Sequence, residues 1–578
     1  MIKPKKFILE AKGYATQLFA EDLVLKLDLN ENLIGPSPLV LKAIEQIKSH
    51  EVQYYPAYGE LITSIASNSG VSTEMVLPTN GADEALSFVI QAFIDQEDEI
   101  LTVNPSFVMS KIYARQTGCT YTEVPYQEKW VFPIDEFLSK INAKTKLIIL
   151  TSPNSPTGEL MSGSDIDKIL EKSAHSLVII DETYANYLNK TYVDYAKKYN
   201  NVAIVKSMSK DFAIAGLRLG YIIANPQIIE YITRIASPFS VNISAAKAGV
   251  AALQDKAHFE FVKQETKKAK ECLIEILKPF AQTIYPSGTN FMLVDFGEKA
   301  QYVEYKLNKA KIKPKFYGQT PHLENCSRMT IPSPDKCHLI KDALQSRPVL
   351  AFDMDGVLID TTNSYRMAIK NTFEFFAKKE LSFEEIQNAK NLGGLNNDWD
   401  LTEFLLKQAG VNIAKNAIID KFQGLYWGNS GDGFIKNEKL IISELELREL
   451  SKSYEMVIFT GRPRQEALFA LKEHNLEGIF GYLIGHEDVP EDKHKPHSYG
   501  LNKIIEITAP TEIYYLGDTA DDMISAKNAG AIPIGVLPPQ DKSDNLKSKL
   551  IENGAKFVLG TTGELKNLLE TQLCESAQ

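Results

Sequence analysis

The sequence is poor in cysteine, in long apolar runs and in net positive charge. Its five cysteines (Cys119, Cys272, Cys326, Cys337 and Cys574) are scattered and form no Cys-x-x-Cys pair. Such a set gives no disulfide framework, and a reducing cytoplasm is the expected compartment. A formal charge of −11 lacks the basic footprint that nucleic acid or an anionic membrane selects, so neither is an expected partner. The basic opening MIKPKKFILEAKGYATQ precedes no long apolar stretch, and neither a secretory signal nor a membrane span is expected from it. Internal repeats and low-complexity tracts are also missing.

What is present is an alternation. Apolar runs such as KLIIL (146–150), SLVII (176–180), NVAIV (201–205), PVLAF (348–352), YEMVIF (454–459) and EIYYLG (512–517) are separated by segments of helical period. Unbroken Val/Ile/Leu runs between helices predict parallel strands buried on both faces, hence an α/β class. The 578 residues are enough for two or three cores. The boundary is expected in LQSRPVL, where a helix ends near Gln345 and Pro348 opens a strand. That places domains at 1–346 and 347–578.

In open α/β sheets, ligands sit beyond the carboxyl ends of the strands. Three such ends carry unusual chemistry. KLIIL leads to Asn154, SLVII to Asp181 and Tyr184, and NVAIV to Ser207, Ser209 and Lys210. An amine, an acid, a phenol, an amide and two hydroxyls in one crevice meet the needs of pyridoxal phosphate. Its aldehyde takes a lysine, its ring nitrogen an acid, and its phosphate hydroxyls, helix-start N–H groups and a cation.

With TNGADEAL (79–86), NPSFVMS (104–110) and KSMSKDFAIAGLR (206–218), the region from about 20 to 345 resembles the class I/II aminotransferases of fold type I. The resemblance implies that Lys210 is the Schiff-base lysine and that Asp181 pairs with the ring nitrogen. It gives Asn154 and Tyr184 the ring oxygen, and Ser207, Ser209 and Arg218 the phosphate. Ala82 and Asp83 lie at the helix start of the phosphate turn, and Phe107 stacks on the ring. LDLNENLIGPSP (27–38), VQYYPAYGELITSIA (52–66), SPFSVN (237–242) and NCSRMTI (325–331) are most similar to histidinol-phosphate aminotransferases. That likeness implies a homodimer in which Tyr55 reaches the partner subunit's cofactor phosphate. It also makes Asn30 and Arg328 substrate-binding, with glutamate and 2-oxoglutarate as the amino donor and its keto acid. One departure stands out. Lys315, in KIKPKFYG, occupies a position where the family usually has a second arginine. It would carry a substrate-binding charge without the bidentate fork. Threonine-phosphate decarboxylases share much of this pattern, so another phosphorylated amino alcohol or amino acid, transaminated or decarboxylated, stays open as an alternative.

The second half holds AFDMDGVLID (351–360), VIFTGR (457–462), DKHKPHSYG (492–500) and YLGDTADDM (515–523). Paired aspartates after a strand, followed by a threonine, a lysine and two more aspartates, suit a hard cation and a phosphoryl group in transfer. The order resembles the haloacid dehalogenase (HAD) phosphatases over about 348–565. This implies a Rossmann-like domain with an α-helical cap at about 365–445, Asp353 as nucleophile, and Asp355 as acid and base. Thr460 and Lys495 would hold the phosphoryl group, and Mg²⁺ would be bound by Asp353, Asp518, Asp522 and the Asp355 carbonyl. GGLNNDWDLT (393–402) is expected either to shape the leaving-group pocket or to be a glycine loop before a capped helix. Joining these halves implies two consecutive reactions: imidazole acetol phosphate is aminated to histidinol phosphate, which is then dephosphorylated to histidinol.

Overall fold

The computed structural model describes residue 2, residues 23–390 and residues 398–576. The opening segment discussed above, apart from residue 2, and residues 393–397 of the cap stretch lie outside them. The chain divides into two compact units, Met1–Ala343 and Leu344–Gln578.

In the first unit the strands are β1 (Leu25–Leu27), β2 (Val76–Thr79), β3 (Glu99–Asn104), β4 (Thr120–Pro125), β5 (Thr145–Thr151), β6 (Leu177–Asp181), β7 (Val202–Ser207), β8 (Gly220–Ala224), β9 (Thr283–Ile284), β10 (Phe291–Asp295), β11 (Ile312–Phe316) and β12 (Cys326–Thr330). Seven form the main sheet in the order β2-β8-β7-β6-β5-β3-β4. All its pairings are parallel except those of β8, which runs antiparallel to β2 and β7. The apolar runs are continuous because the two faces of each strand enter different cores. Ile148, Leu150, Val178, Ile180, Val202 and Ile204 point into one. Leu147, Ile149, Leu177, Ile179, Ala203 and Val205 point into the other. With side chains alternating at period two, a doubly covered strand has no polar position until its end. There the buried Asp181 and Ser207 appear. A second sheet of five strands, β1-β11-β12-β10-β9, completes this unit.

The second unit contains β13 (Val349–Phe352), β14 (Ile359–Asp360), β15 (Lys439–Leu440), β16 (Glu455–Phe459), β17 (Phe480–Ile484), β18 (Ile513–Gly517), β19 (Ile532–Val536) and β20 (Phe557–Leu559). Six make a parallel sheet in the order β17-β16-β13-β18-β19-β20. Between β13 and β16 the chain leaves the sheet for the helices Tyr365–Ala377, Phe383–Lys390, Asp398–Gln408 and Lys415–Tyr426. Their apolar faces share a core of their own around Ile369, Leu401, Leu406, Ile418 and Phe422. This cap is entered and left through β14 and β15, which pair antiparallel as Ile359↔Leu440 and Asp360↔Lys439. The helix Glu444–Ser453 that follows carries Leu447 and Leu450 back into the core of the sheet.

Candidate active sites

In the first unit the ends of β5, β6 and β7 bring the anticipated groups to one crevice. Asp181 is buried. Its Oδ1 accepts hydrogen bonds from Thr183 N (2.9 Å) and Oγ1 (2.7 Å), while Oδ2 has no partner among the described residues. Burial pushes this carboxyl up to about 6, against the lowering effect of the Thr183 bonds. A pyridinium N–H would satisfy the open oxygen and hold the carboxylate ionised. Lys210 donates to Leu29 O at 2.7 Å. Burial, and then the nearby Arg328 guanidinium, pull its amine down to about 8. That leaves a usable fraction of free amine near neutral pH, as attack on an aldehyde requires.

At the β2 end of the crevice a turn, a helix start and an arginine meet, the groups expected to hold a phosphate. Helix Gly81–Phe93 begins directly after β2, and its first N–H groups form an anion site of the usual kind. Arg218 donates to Asp83 Oδ2 at 2.7 Å and to Ser209 Oγ at 3.4 Å, and Ser209 N donates to Ser207 Oγ at 3.2 Å. The turn is packed closely from behind. A Cβ at Gly220 would stand 2.6 Å from Ala82 N, 2.6 Å from Gly81 C and 2.9 Å from Lys206 O. Overpacking against backbone costs about 1–3 kcal/mol. Gly220→Ala is therefore expected to weaken retention of pyridoxal phosphate by about tenfold or more, measured as the Kd of the apoprotein for the cofactor.

Tyr184 is buried and its hydroxyl accepts from Asn30 Nδ2 at 3.0 Å. Asn154 is fully buried. Its amide donates to Pro105 O and Thr157 Oγ1, both at 3.0 Å, and its carbonyl oxygen accepts from Ser106 Oγ at 2.9 Å. Both amide hydrogens are thus committed to the loop here, and contact with a ring oxygen would require one to be exchanged. Phe107 packs at the edge of the second core. Arg328 donates from Nη1 to Ser155 Oγ at 3.0 Å and from Nη2 to Asp28 O. Its buried Nε has no hydrogen-bond partner among the described residues. Lys315 is the cross-strand partner of Arg328 in β11–β12 and is exposed. Tyr55 is not in this crevice. It is 79% exposed, stacked on Phe239 with ring centroids 4.3 Å apart.

In the second unit, oxygens of Asp353, Asp518 and Asp522 lie within 4.8 Å of one another at the ends of β13 and β18. Lys495 Nζ lies 2.7 Å from Asp353 Oδ1 and 2.8 Å from Asp522 Oδ1. Burial pushes the Asp353 carboxyl up to about 7, with Lys495 opposing and Asp522 and Asp355 adding. Asp518 is raised well above the carboxylate range by burial and by Asp522 and Asp353. Asp522 goes the other way: burial raises it, but Lys495, Thr519 and Tyr515 outweigh that. Three clustered acids, two of them paired with one lysine, form a pocket short of positive charge, and the all-oxygen donor set fits Mg²⁺. Asp522 is the most committed of the three, bound to Lys495, to Tyr515 OH (3.0 Å) and to Thr519 Oγ1 (2.6 Å). Thr460 directly follows β16, its N–H on Ile484 O at 3.0 Å.

The Asp355 carboxylate lies outside this cluster. It is held by Arg462, whose Nε is 2.6 Å and Nη2 2.5 Å from Oδ1. Sequence reasoning passed over Arg462, although it stands two residues after Thr460. Its partner lies 107 positions away in the chain, so spacing held no signal for it.

Two family models match the chain: aminotransferase class I and II over residues 22–343, and haloacid dehalogenase-like hydrolase over residues 350–536. The histidinol-phosphate aminotransferase of Anaeromyxobacter sp. (strain Fw109-5) is 34% identical over 281 residues, covering 47% of this chain and 77% of that protein. That of Thermoanaerobacter pseudethanolicus is 32% identical over 312 residues, 53% of this chain and 88% of that protein. In structure, the histidinol-phosphate aminotransferase of Clostridium acetobutylicum superposes with a TM-score of 0.52 at 24% identity, over 55% of this chain and 98% of that one. The chain belongs to the class I and II aminotransferase family and carries a haloacid dehalogenase-like hydrolase domain after it. It joins a histidinol-phosphate aminotransferase-like transferase to a phosphatase.

Proposed function

We propose that the chain performs two consecutive reactions, amination of imidazole acetol phosphate by glutamate to histidinol phosphate and hydrolysis of that ester to histidinol. The observation that carries this reading is the covalent pairing of the two sites. A histidinol-phosphate aminotransferase-like unit would make a phosphomonoester, and a phosphatase follows it on the same chain.

Pyridoxal phosphate, when bound, supplies the electron sink for the carbon bearing the amine. Around it, Asp181 holds a negative charge at the ring nitrogen. Ser207, Ser209, Arg218 and the N–H groups of Ala82 and Asp83 hold the phosphate, with Phe107, Asn154 and Tyr184 at the ring. Arg328, beside Asn30, clamps an acidic group of the substrate. Lys210 Nζ takes and returns the proton at the reacting carbon. Tyr55, exposed on its own protomer, would complete the phosphate site of a second copy, so the active form is a homodimer. The sparse cysteines favour the cytoplasm.

In the phosphatase, Asp353 attacks phosphorus as the bond to the alcohol oxygen breaks, and Asp355 protonates that oxygen. Asp355 then takes a proton from the water that cleaves the aspartyl phosphate, releasing inorganic phosphate. Thr460 and Lys495 hold the transferred group. Mg²⁺ on Asp353, Asp518, Asp522 and the Asp355 carbonyl would offset its charge.

A phosphorus NMR time course with imidazole acetol phosphate, glutamate, pyridoxal phosphate and Mg²⁺ tests the scheme. A new ester signal that gives way to inorganic phosphate is the expected result. An unchanged substrate signal would reject this substrate. The second reading, a different phosphorylated amino alcohol or amino acid, then takes over, and the exposed single charge of Lys315 opposite Arg328 is what favours it.

A further inference from the structure

Arg462 is 1% exposed and among the largest fully buried side chains of the protein. It serves two carboxylates at once. One edge of its guanidinium meets Asp355, as described above. The other meets Glu438, Nη1 to Oε2 and Nη2 to Oε1, both at 2.9 Å. Glu438 immediately precedes β15, the strand by which the chain leaves the cap. It also accepts from Ser364 Oγ at 2.8 Å, on the stretch leading from β14 into the first cap helix, and from Tyr426 OH at 3.2 Å, at the end of the last long cap helix. The Tyr365 ring covers the guanidinium at 5.0 Å and stacks on Tyr426 at 4.1 Å. One buried cation thus touches the catalytic loop and, through one acid, both chain crossings into the cap. A lone structural ion pair would need one carboxylate. The planar fork of arginine reaches two in fixed geometry, which lysine cannot do.

We propose that Arg462 is the positioning residue for Asp355, and that through Glu438 it ties the orientation of that carboxylate to the hinge of the cap. This rests on the assignment of Asp355 as proton donor to the departing oxygen. Arg462 itself touches no reacting atom. With Asp355 misplaced, the phosphorus–oxygen bond breaks without a proton in place, which penalises poor leaving groups and largely spares good ones.

The test uses the full-length protein with Mg²⁺ and two probe esters. Phenyl phosphate has a leaving oxygen that needs a proton, and p-nitrophenyl phosphate departs as a stabilised phenolate. For Arg462→Lys, kcat/KM on phenyl phosphate is expected to fall by about 10²-fold, the lower range of a general acid's contribution, and that on p-nitrophenyl phosphate by less than about tenfold. Glu438→Gln, nearly isosteric and remote from phosphorus, is expected to show the same selectivity at smaller amplitude. It decides the matter if Arg462→Lys folds poorly. The Tm of the second unit, read by calorimetry, serves as the folding control. Equal losses on both esters, or none, would overturn the inference. Asp355→Asn separates the two levels. If that variant does not discriminate between the esters, the acid assignment has failed and the role of Arg462 falls with it. If it discriminates and the Arg462 and Glu438 variants do not, only the positioning role is wrong.

Discussion

Lys210→Ala is expected to abolish transamination and leave phosphate release untouched. Two losses combine. A positioned proton-transfer group contributes up to about 10⁴-fold, and in the proposed assignment the same amine is the covalent anchor for the cofactor aldehyde. The fall is therefore expected to reach about 10⁴-fold or more. Borohydride reduction followed by peptide mass spectrometry checks the anchor directly, since a peptide containing residue 210 becomes labelled in the wild type and not in the variant. The depressed amine adds a pH signature. Its usual value is 10.5, and burial with Arg328 brings it to about 8. Below that value the group is an ammonium and cannot attack. The rate at which apoprotein takes up pyridoxal phosphate is expected to rise with pH through about 8 and then level off. A rise that continues toward 10.5 would mean the amine is solvated like a surface lysine.

Asp353→Asn is expected to have the converse outcome, with phosphate release lost and transamination retained. Removal of a nucleophile that works within a catalytic group costs roughly 10⁴- to 10⁶-fold. An amide oxygen at this position cannot form the acyl phosphate that divides the hydrolysis into two steps. A time course for histidinol phosphate, read as inorganic phosphate, measures the loss. The glutamate-dependent half reaction of the same sample measures what remains. The variant has a second expected phenotype, in stability. Asp353 and Asp522 pair with Lys495, and Asp518 lies within 4.8 Å of both acids, so without a divalent cation the pocket crowds acids at close range. Neutralising one relieves that repulsion. Calorimetry without divalent cation is expected to show a higher Tm for the second unit in Asp353→Asn than in the wild type. Mg²⁺ is expected to raise the wild-type Tm by mass action on the folded state and the variant's by less. Loss of both activities in Asp353→Asn would contradict the independence of the two sites.

Much of this was legible in the chain, for a physical reason. A parallel strand covered on both faces has no polar position in its body, so the first polar residues after KLIIL, SLVII and NVAIV mark the crevice. Asn154, Asp181, Ser207, Ser209 and Lys210 lie in the polar stretches at those strand ends, as Asp353, Thr460 and Asp518 do in the second unit, while the roles expected of them come from the family resemblance. What stayed hidden depends on distances across the fold. The bonds that fix Asn154 within its loop, the commitment of Asp522 to Lys495 and Tyr515, and the grip of Arg462 on Asp355 join residues from different strands. Their alignment in space leaves no trace in local periodicity. Lys315 is an intermediate case: its type was readable, while its place directly across from Arg328 follows from the register of β11 on β12.

The β14–β15 ribbon has a consequence for how such a chain can be altered. Paired strands run about 4.8 Å apart, so the two points where the backbone crosses into the cap are neighbours. Everything between Thr361 and Glu438 hangs from the sheet domain as a closed excursion with adjacent ends. It could be exchanged for another helical module, or shortened to a tight turn, without disturbing the order of the six sheet strands. The strand order would survive such an exchange, but a grafted module would have to bring its own counterparts of Ser364 and Tyr426 to keep Glu438, and with it Arg462, in place against Asp355.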